Sequence, residues 1–314
     1  MAFSIEFSHP EFFVEEAYRL LALDTHLEKF QKTIEDPRFG FFHVNQNSEL
    51  VEQCQRAYHK FSDREVFVHV GIGGSSLGPE MLIKGLAPRE RQKQFLFINN
   101  IDPDEIFDQL EKLDPQKCVF SFVSKSGGTA ETNASLSLIS SWLKDKGISQ
   151  NELKNYFVFT TDPERSELLD LGKKHDITTL TIPSNVGGRF SVLTPVGLFP
   201  ARFAGIPIEN IMRGAEGAKN QMLNPDPKEN PLLKTAGFLE TLRRERQINQ
   251  TVCMPYSSKL RELSFWFTQL WAESLGKQYD LAGERKNLGL TPIPAYGVTD
   301  QHSQVQLFVE GPKD

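Results

Sequence analysis

At 314 residues the chain is long enough for two domains of ordinary size, each with its own core. Charged residues are 24% and the hydrophobic set is 39%, the balance of an ordinary soluble globular protein. A net charge of −6 excludes a general binder of nucleic acid or of an anionic membrane, so an anionic ligand must be held by local groups acting against the overall field. Cys54, Cys118 and Cys253 are far apart, odd in number and without metal-ligand spacing, which predicts no metal site and a reducing, cytoplasmic setting. The acidic N-terminus lacks the pattern of a signal peptide, and no apolar run is long enough to span a bilayer. The 24 phenylalanines point to core rather than to function.

Residues 1–45 read as a helical leader that packs on another part of the chain, punctuated by Pro10 and Pro37. From Val66 a regular alternation begins. Strand-like runs are Val66–Val70, Gln94–Ile98, Cys118–Val123, Tyr156–Thr160 and Thr178–Ile182; helix-like runs between them are Leu77–Leu86, Pro103–Leu113, Ala134–Lys146 and Pro163–His175. These strands are apolar and uninterrupted rather than alternating, as a parallel sheet covered on both faces requires, so residues 46–183 form a doubly wound α/β domain. Helices near Pro195–Ala204, Asn210–Met222 and Pro231–Arg246 follow. Next come a strand (Thr251–Met254), a long helix (Lys259–Lys277), a strand (Ile293–Val298) and a helix start near Asp300. Two strands are too few for a free-standing sheet, so this second unit either leans on the first or is incomplete.

Chemistry concentrates where strands hand over to helices. Ser124-Lys-Ser-Gly-Gly-Thr-Ala-Glu-Thr132 places four hydroxyls, two glycines and a lysine at such a junction. A turn needs only one capping hydroxyl, and the surplus suits a dianion such as phosphate held by helix N–H groups. Lys125 reads equally well as a solvated loop residue. Gly71-Ile-Gly-Gly-Ser-Ser-Leu-Gly78 follows the first strand; it begins like a dinucleotide fingerprint, with Asp102 as a ribose ligand, but Ser76 stands where the third glycine belongs. Neighbouring strands would set the two turns side by side, bringing Ser75 opposite Ser124, Ser126, Thr129 and Thr132. Val186-Gly-Gly-Arg-Phe-Ser191 offers Arg189 behind two glycines, as an oxyanion fork or as a hinge with a surface arginine. On spacing alone Glu273 is a surface partner for Lys277 at i+4. His302, at another strand-to-helix junction, is a surface or capping histidine on the same grounds.

Together these segments resemble the phosphoglucose isomerase family, of the bacterial type: VGIGGSSLGP, SKSGGTAET, NVGGRFSVLTPVG, the WAESLGK helix and YGVTDQHSQVQL stand in the family's order. The resemblance implies two sugar-isomerase (SIS) domains, each a doubly wound parallel sheet in three layers. Residues 46–183 would form the phosphate-binding domain, and 184–314 the domain with the catalytic base and histidine. The leader, 1–45, would pack on the second. That second domain is expected to be truncated, since the family continues past the segment matching Phe308–Pro312 and carries there a lysine used in ring opening.

The implied reaction is reversible interconversion of glucose 6-phosphate and fructose 6-phosphate through a cis-enediol(ate), in glycolysis and gluconeogenesis, without cofactor or metal. By the family pattern Ser75, Ser124, Lys125, Ser126, Thr129 and Thr132 surround the phosphate, with Gly74 and Gly188 in support. Glu273 is the base, displacing the surface-pair reading, and Arg189 stabilises the enediolate oxygens. His302 assists ring opening and Glu131 orients it. In the family this histidine comes from the other subunit, which implies a homodimer with its active site at the interface.

Overall fold

The computed structural model describes residues 23–90, 93–224, 226 and 229–312. The expected leader falls partly on residues 1–22, which lie outside the described residues. From Leu23 it is helix α1 (Leu23–Glu35), followed by tight turns at Gly40–Phe42 and Val44–Gln46.

Helix α2 (Ser48–Phe61) leads into five parallel strands: β1 (Val66–Val70), β2 (Gln94–Ile98), β3 (Cys118–Val123), β4 (Phe157–Thr161) and β5 (Thr178–Thr181). Their spatial order is β2-β1-β3-β4-β5. The connections are α3 (Leu77–Leu86), α4 (Pro103–Leu110), α5 (Ala130–Asp145) and α6 (Glu167–His175). This is the doubly wound sheet that uninterrupted apolar strands call for.

The pleat sorts the strand residues. Phe67, Val119, Val158 and Leu180 point to one face, where Phe61 of α2, Ile83 of α3 and Phe199 and Phe203 of α7 (Pro195–Phe203) cover them. Val68, Val70, Phe120, Phe122, Phe157 and Phe159 point to the other, under Leu110 of α4, Ile139 and Leu143 of α5 and Leu168 of α6. Eight of the phenylalanines are fully buried in these two layers, each contributing roughly 1.5–3 kcal/mol of burial. They interlock edge to face, as Phe122 and Phe157 do at 4.9 Å between ring centres. A core of this size makes the carboxyl edge of the sheet a stiff platform.

After β5 come α7, α8 (Ile208–Met222), α9 (Pro231–Arg246), β6 (Gln250–Cys253) and α10 (Arg261–Leu275). Strand β9 (Thr291–Pro294) pairs parallel with β6, and α11 (Val305–Glu310) follows. Helix α10 packs along both α3 and β9, so it bridges the two parts of the chain. The leader touches the later helices: α1 lies against α9, and Lys219 of α8 donates to the Phe42 carbonyl at 3.0 Å.

Three expectations need correction. An antiparallel hairpin, β7 (Lys277–Tyr279) with β8 (Arg285–Leu288), lies where no strand was read. Its strands are short, exposed and mostly polar, so no apolar pattern announces it; its turn is held by the Asp280 carboxylate, which accepts from the Ala282 and Glu284 N–H groups. Helix α5 begins at Ala130 rather than near Ala134, with Thr129 at its cap. Helix α6 begins at Glu167 rather than Pro163, because the Asp162 carboxylate accepts from the N–H groups of Glu164 and Arg165 and folds them into a turn, and Ser166 caps the helix. No helix among the described residues is long and apolar enough to cross a membrane.

Candidate active site

The chain leaves β1 for β2 on one side and returns to β3 on the other, so the turns after β1 and β3 part above the sheet and leave a crevice between them. A cleft of about 600 Å³ opens there. Ser75 comes from the first turn; Lys125, Ser126 and Thr129 come from the second. Arg189 with Gly188, and Glu273 from α10, complete the opposite wall.

The first turn is shaped by close approach. Gly73 sits at φ +58°, and a Cβ on Gly74 would lie 2.5 Å from the Gly188 carbonyl and 2.8 Å from the Arg189 nitrogen. Only glycine lets these backbones meet, and the meeting brings Ser75 beside Arg189 in one site. From below, His69 donates its Nε2–H to the Ser75 carbonyl at 2.6 Å. Burial pushes its pKa down to about 4, so the ring is neutral and serves as a strut under the turn. Asp102, weighed as a ribose ligand, accepts from the Asp104 and Glu105 N–H groups and caps α4 instead.

In the second turn the hydroxyls divide into two ranks. Ser124 is buried; its Oγ lies 2.8 Å from Thr129 Oγ1 and accepts the Gly127 N–H at 3.0 Å. It shapes the turn from beneath, leaving Ser126 and Thr129 to line the cleft. Thr132 is buried as well and borders, with Glu131, a small hollow behind the cleft rather than the cleft itself. Gly127, at φ +72°, is pressed against Ser166, so the turn after β3 rests on the turn after β4. Thr161 tightens the joint by donating to the Ser124 carbonyl at 2.7 Å. The Lys125 ammonium donates to the carbonyls of Ser184 at 2.7 Å and Val186 at 2.8 Å.

Glu273 does not pair with Lys277 through its carboxylate. The Lys277 ammonium bonds the Glu273 backbone carbonyl, while the carboxylate faces Arg189 Nη1 at 3.6 Å and accepts from Gln269 Nε2 at 3.0 Å. Arg189 donates from Nε to Ser274 at 2.9 Å and lies over the Phe190 ring. His302 is exposed on the short turn Thr299–His302, away from the lining of the cleft, and no hydrogen bond joins it to Glu131 among the described residues.

Sequence reasoning missed part of the wall: Gln269, Asp162, Glu164, Arg165 and Ser184 all line the cleft. Gln269 could have been found one turn before Glu273 on the same helix face. Asp162 could have been found as the first polar residue after a strand adjacent to β3. Burial works against the Asp162 carboxylate, yet the N–H groups of Glu164 and Arg165, the Ser184 hydroxyl and the Lys125 charge together hold its carboxyl below the usual range.

The arrangement joins a bank of hydroxyls to a carboxylate–guanidinium pair across one cleft. The first can hold an oxyanion. The second can move a proton beside a developing negative charge.

A sequence profile of phosphoglucose isomerase matches residues 43–313. The glucose-6-phosphate isomerase of Carboxydothermus hydrogenoformans is 37% identical over 338 residues, covering 100% of this chain and 71% of that protein. That of a Thermus thermophilus strain is 40% identical over 275 residues, covering 88% of this chain and 64% of the relative. This chain thus spans about two thirds of the length of the relatives it matches. Among solved structures, a hypothetical protein from Thermus thermophilus superposes with a TM-score of 0.86 at 37% identity, over 96% of this chain and 70% of that one. A glucose-6-phosphate isomerase from Chlamydia trachomatis superposes with a TM-score of 0.75 at 28% identity, over 86% and 52%. With its glycine-packed hydroxyl turn, its Glu273–Arg189 pair and a profile match over nearly its whole described length, the chain belongs to the phosphoglucose isomerase family.

Proposed function

We propose that the protein interconverts glucose 6-phosphate and fructose 6-phosphate. The observation that carries this reading is the Glu273–Arg189 pair facing Ser75, Ser126 and Thr129 across one cleft. The phosphate would rest on those hydroxyls, with Ser124 and Thr132 shaping the turn from underneath and Lys125 adding charge at its flank. The open-chain sugar then extends toward Glu273.

A proton on the carbon beside a carbonyl is acidic enough for a positioned carboxylate. Glu273 takes it from C2 of the aldose, and the electron pair moves onto the carbonyl oxygen, giving a cis-enediolate. Arg189 lies where that charge develops and can stabilise it. Glu273 returns the proton to C1 and a hydroxyl proton passes between O1 and O2, so atoms and charge balance without a redox partner. His302 would open the sugar ring and Glu131 would orient it. Its exposed position, outside the lining of the cleft, suits the homodimer reading, in which each histidine serves the partner's site at the interface. In this reading residues 46–183 and 184–314 are the two SIS domains, with residues 1–45 packed on the second. The setting is the cytoplasm.

The test is fructose 6-phosphate turnover coupled to glucose 6-phosphate detection, for wild type and Glu273→Gln. Loss of the base lowers kcat by roughly 10²- to 10⁴-fold with fructose 6-phosphate binding retained. A wild-type protein that forms no glucose 6-phosphate, or a variant that turns over at the wild-type rate, refutes the proposal.

A further inference from the structure

The cleft wall carries three cations, Lys125, Arg165 and Arg189, and two of them are engaged within the protein. Arg189 is held by Ser274 and faces the Glu273 carboxylate. Lys125 donates to two carbonyls, at 2.7 and 2.8 Å, which ties the turn after β3 to the segment leading into Arg189. The Arg165 side chain has no hydrogen-bond or ion-pair partner among the described residues, and the residue is exposed on the cleft wall.

Its backbone, by contrast, is well fixed. The Arg165 N–H donates to the Asp162 carboxylate at 3.3 Å, and the Glu164 N–H donates to the same oxygen at 2.9 Å. The next residue, Ser166, is the one against which Gly127 of the hydroxyl turn is pressed. Arg165 therefore stands on a rigid turn directly beside Ser126 and Thr129, with its side chain free to respond to a ligand.

Charge argues the same way. The three cations of the wall face three carboxylates, Asp162, Glu164 and Glu273, and the whole chain carries −6. A phosphate dianion entering so neutral a cleft needs a cation whose donors are unspent. A guanidinium offers a planar fork matched to two phosphate oxygens, which an ammonium already shared between carbonyls does not.

We propose that Arg165 is a phosphate-recognition residue: its guanidinium closes over the substrate's phosphate from the turn after β4, while Lys125 chiefly braces the cradle. The assignment rests on reading the cleft as a sugar-phosphate site. Arg165 contacts the non-reacting end of the substrate, so its loss weakens binding more than it slows chemistry.

The test uses Arg165→Gln and Arg165→Lys, with titration of inorganic phosphate by calorimetry beside steady-state kinetics on fructose 6-phosphate. Expected for Arg165→Gln are an increase of about tenfold in both the phosphate Kd and KM, kcat within about threefold of wild type, and a shallower salt dependence of binding. Arg165→Lys falls between the two. Thermal melts of both variants matching wild type show that the fold is intact, as expected for an exposed side chain. A phosphate Kd and KM unchanged in Arg165→Gln overturn the assignment while leaving the isomerase reading intact. Phosphate binding without isomerisation by wild type overturns the isomerase reading and leaves Arg165 to be judged on the phosphate titration. A wild-type protein that neither binds phosphate nor forms glucose 6-phosphate overturns both.

Discussion

The strut beneath the first turn gives a prediction with a definite sign. His69 is fully buried between the Phe67 and Phe97 rings, donates Nε2–H to the Ser75 carbonyl, and leaves Nδ1 without a partner among the described residues. Burial lowers its pKa from the ordinary 6.5 to about 4. Between those values the unfolded chain binds a proton that the folded chain refuses, so stability is lost as pH falls, by up to ~1.4 kcal/mol per pH unit. At pH 5.0 the unfolded imidazole is almost fully protonated and the folded one almost fully neutral. Integrated from pH 7.5 to 5.0, the loss from this one group is about 2 kcal/mol. Replacing His69 by Gln keeps an N–H donor for the Ser75 carbonyl but cannot take up the proton. Urea unfolding of wild type and His69→Gln at the two pH values isolates the effect, because every other titrating group cancels in the difference. The variant should lose about 2 kcal/mol less than wild type on acidification. Equal losses in the two proteins would refute the reasoning.

Two further substitutions probe how the cleft is assembled. Gly74→Ala forces a methyl group into the Gly188–Arg189 backbone, which cannot rotate away; it should cost roughly 1–3 kcal/mol, read by urea unfolding. It should also reduce kcat/KM by displacing Arg189, and an unimpaired Ala variant would mean the two segments are free to separate. Lys125→Met removes both ammonium bonds to the Ser184 and Val186 carbonyls and should destabilise the protein by roughly 1–3 kcal/mol, read in the same way. Unchanged stability would return Lys125 to the status of a solvated loop lysine.

Much of the fold was legible because it depends on patterns local in sequence. Strands β1, β2 and β3 end where their apolar runs end, and α3 and α9 run between the residues that flank their polar breaks. The hydroxyl turn was legible for the same reason, since its surplus of Ser and Thr stands out against what one cap needs. The β7–β8 hairpin was not legible, being short, mostly polar and exposed. Nor was the late start of α6, where an aspartate side chain outcompetes a continuous helical pattern for the backbone N–H groups of Glu164 and Arg165.

For Glu273 the local pattern pointed the wrong way. An i,i+4 spacing makes Lys277 a natural partner, and only a guanidinium arriving from 84 residues earlier, together with the lysine's turn toward a backbone carbonyl, redirects the carboxylate into the cleft. The sequence by itself determined the doubly wound sheet and the residue types offered at its carboxyl edge, because apolar periodicity and turn chemistry act over a few residues. Which hydroxyls line the cleft, which cation is left unspent and which carboxylate meets which arginine were decided only in three dimensions. Those depend on close approaches such as Gly74 to Gly188 and Gly127 to Ser166, between segments that have no local relation in the chain.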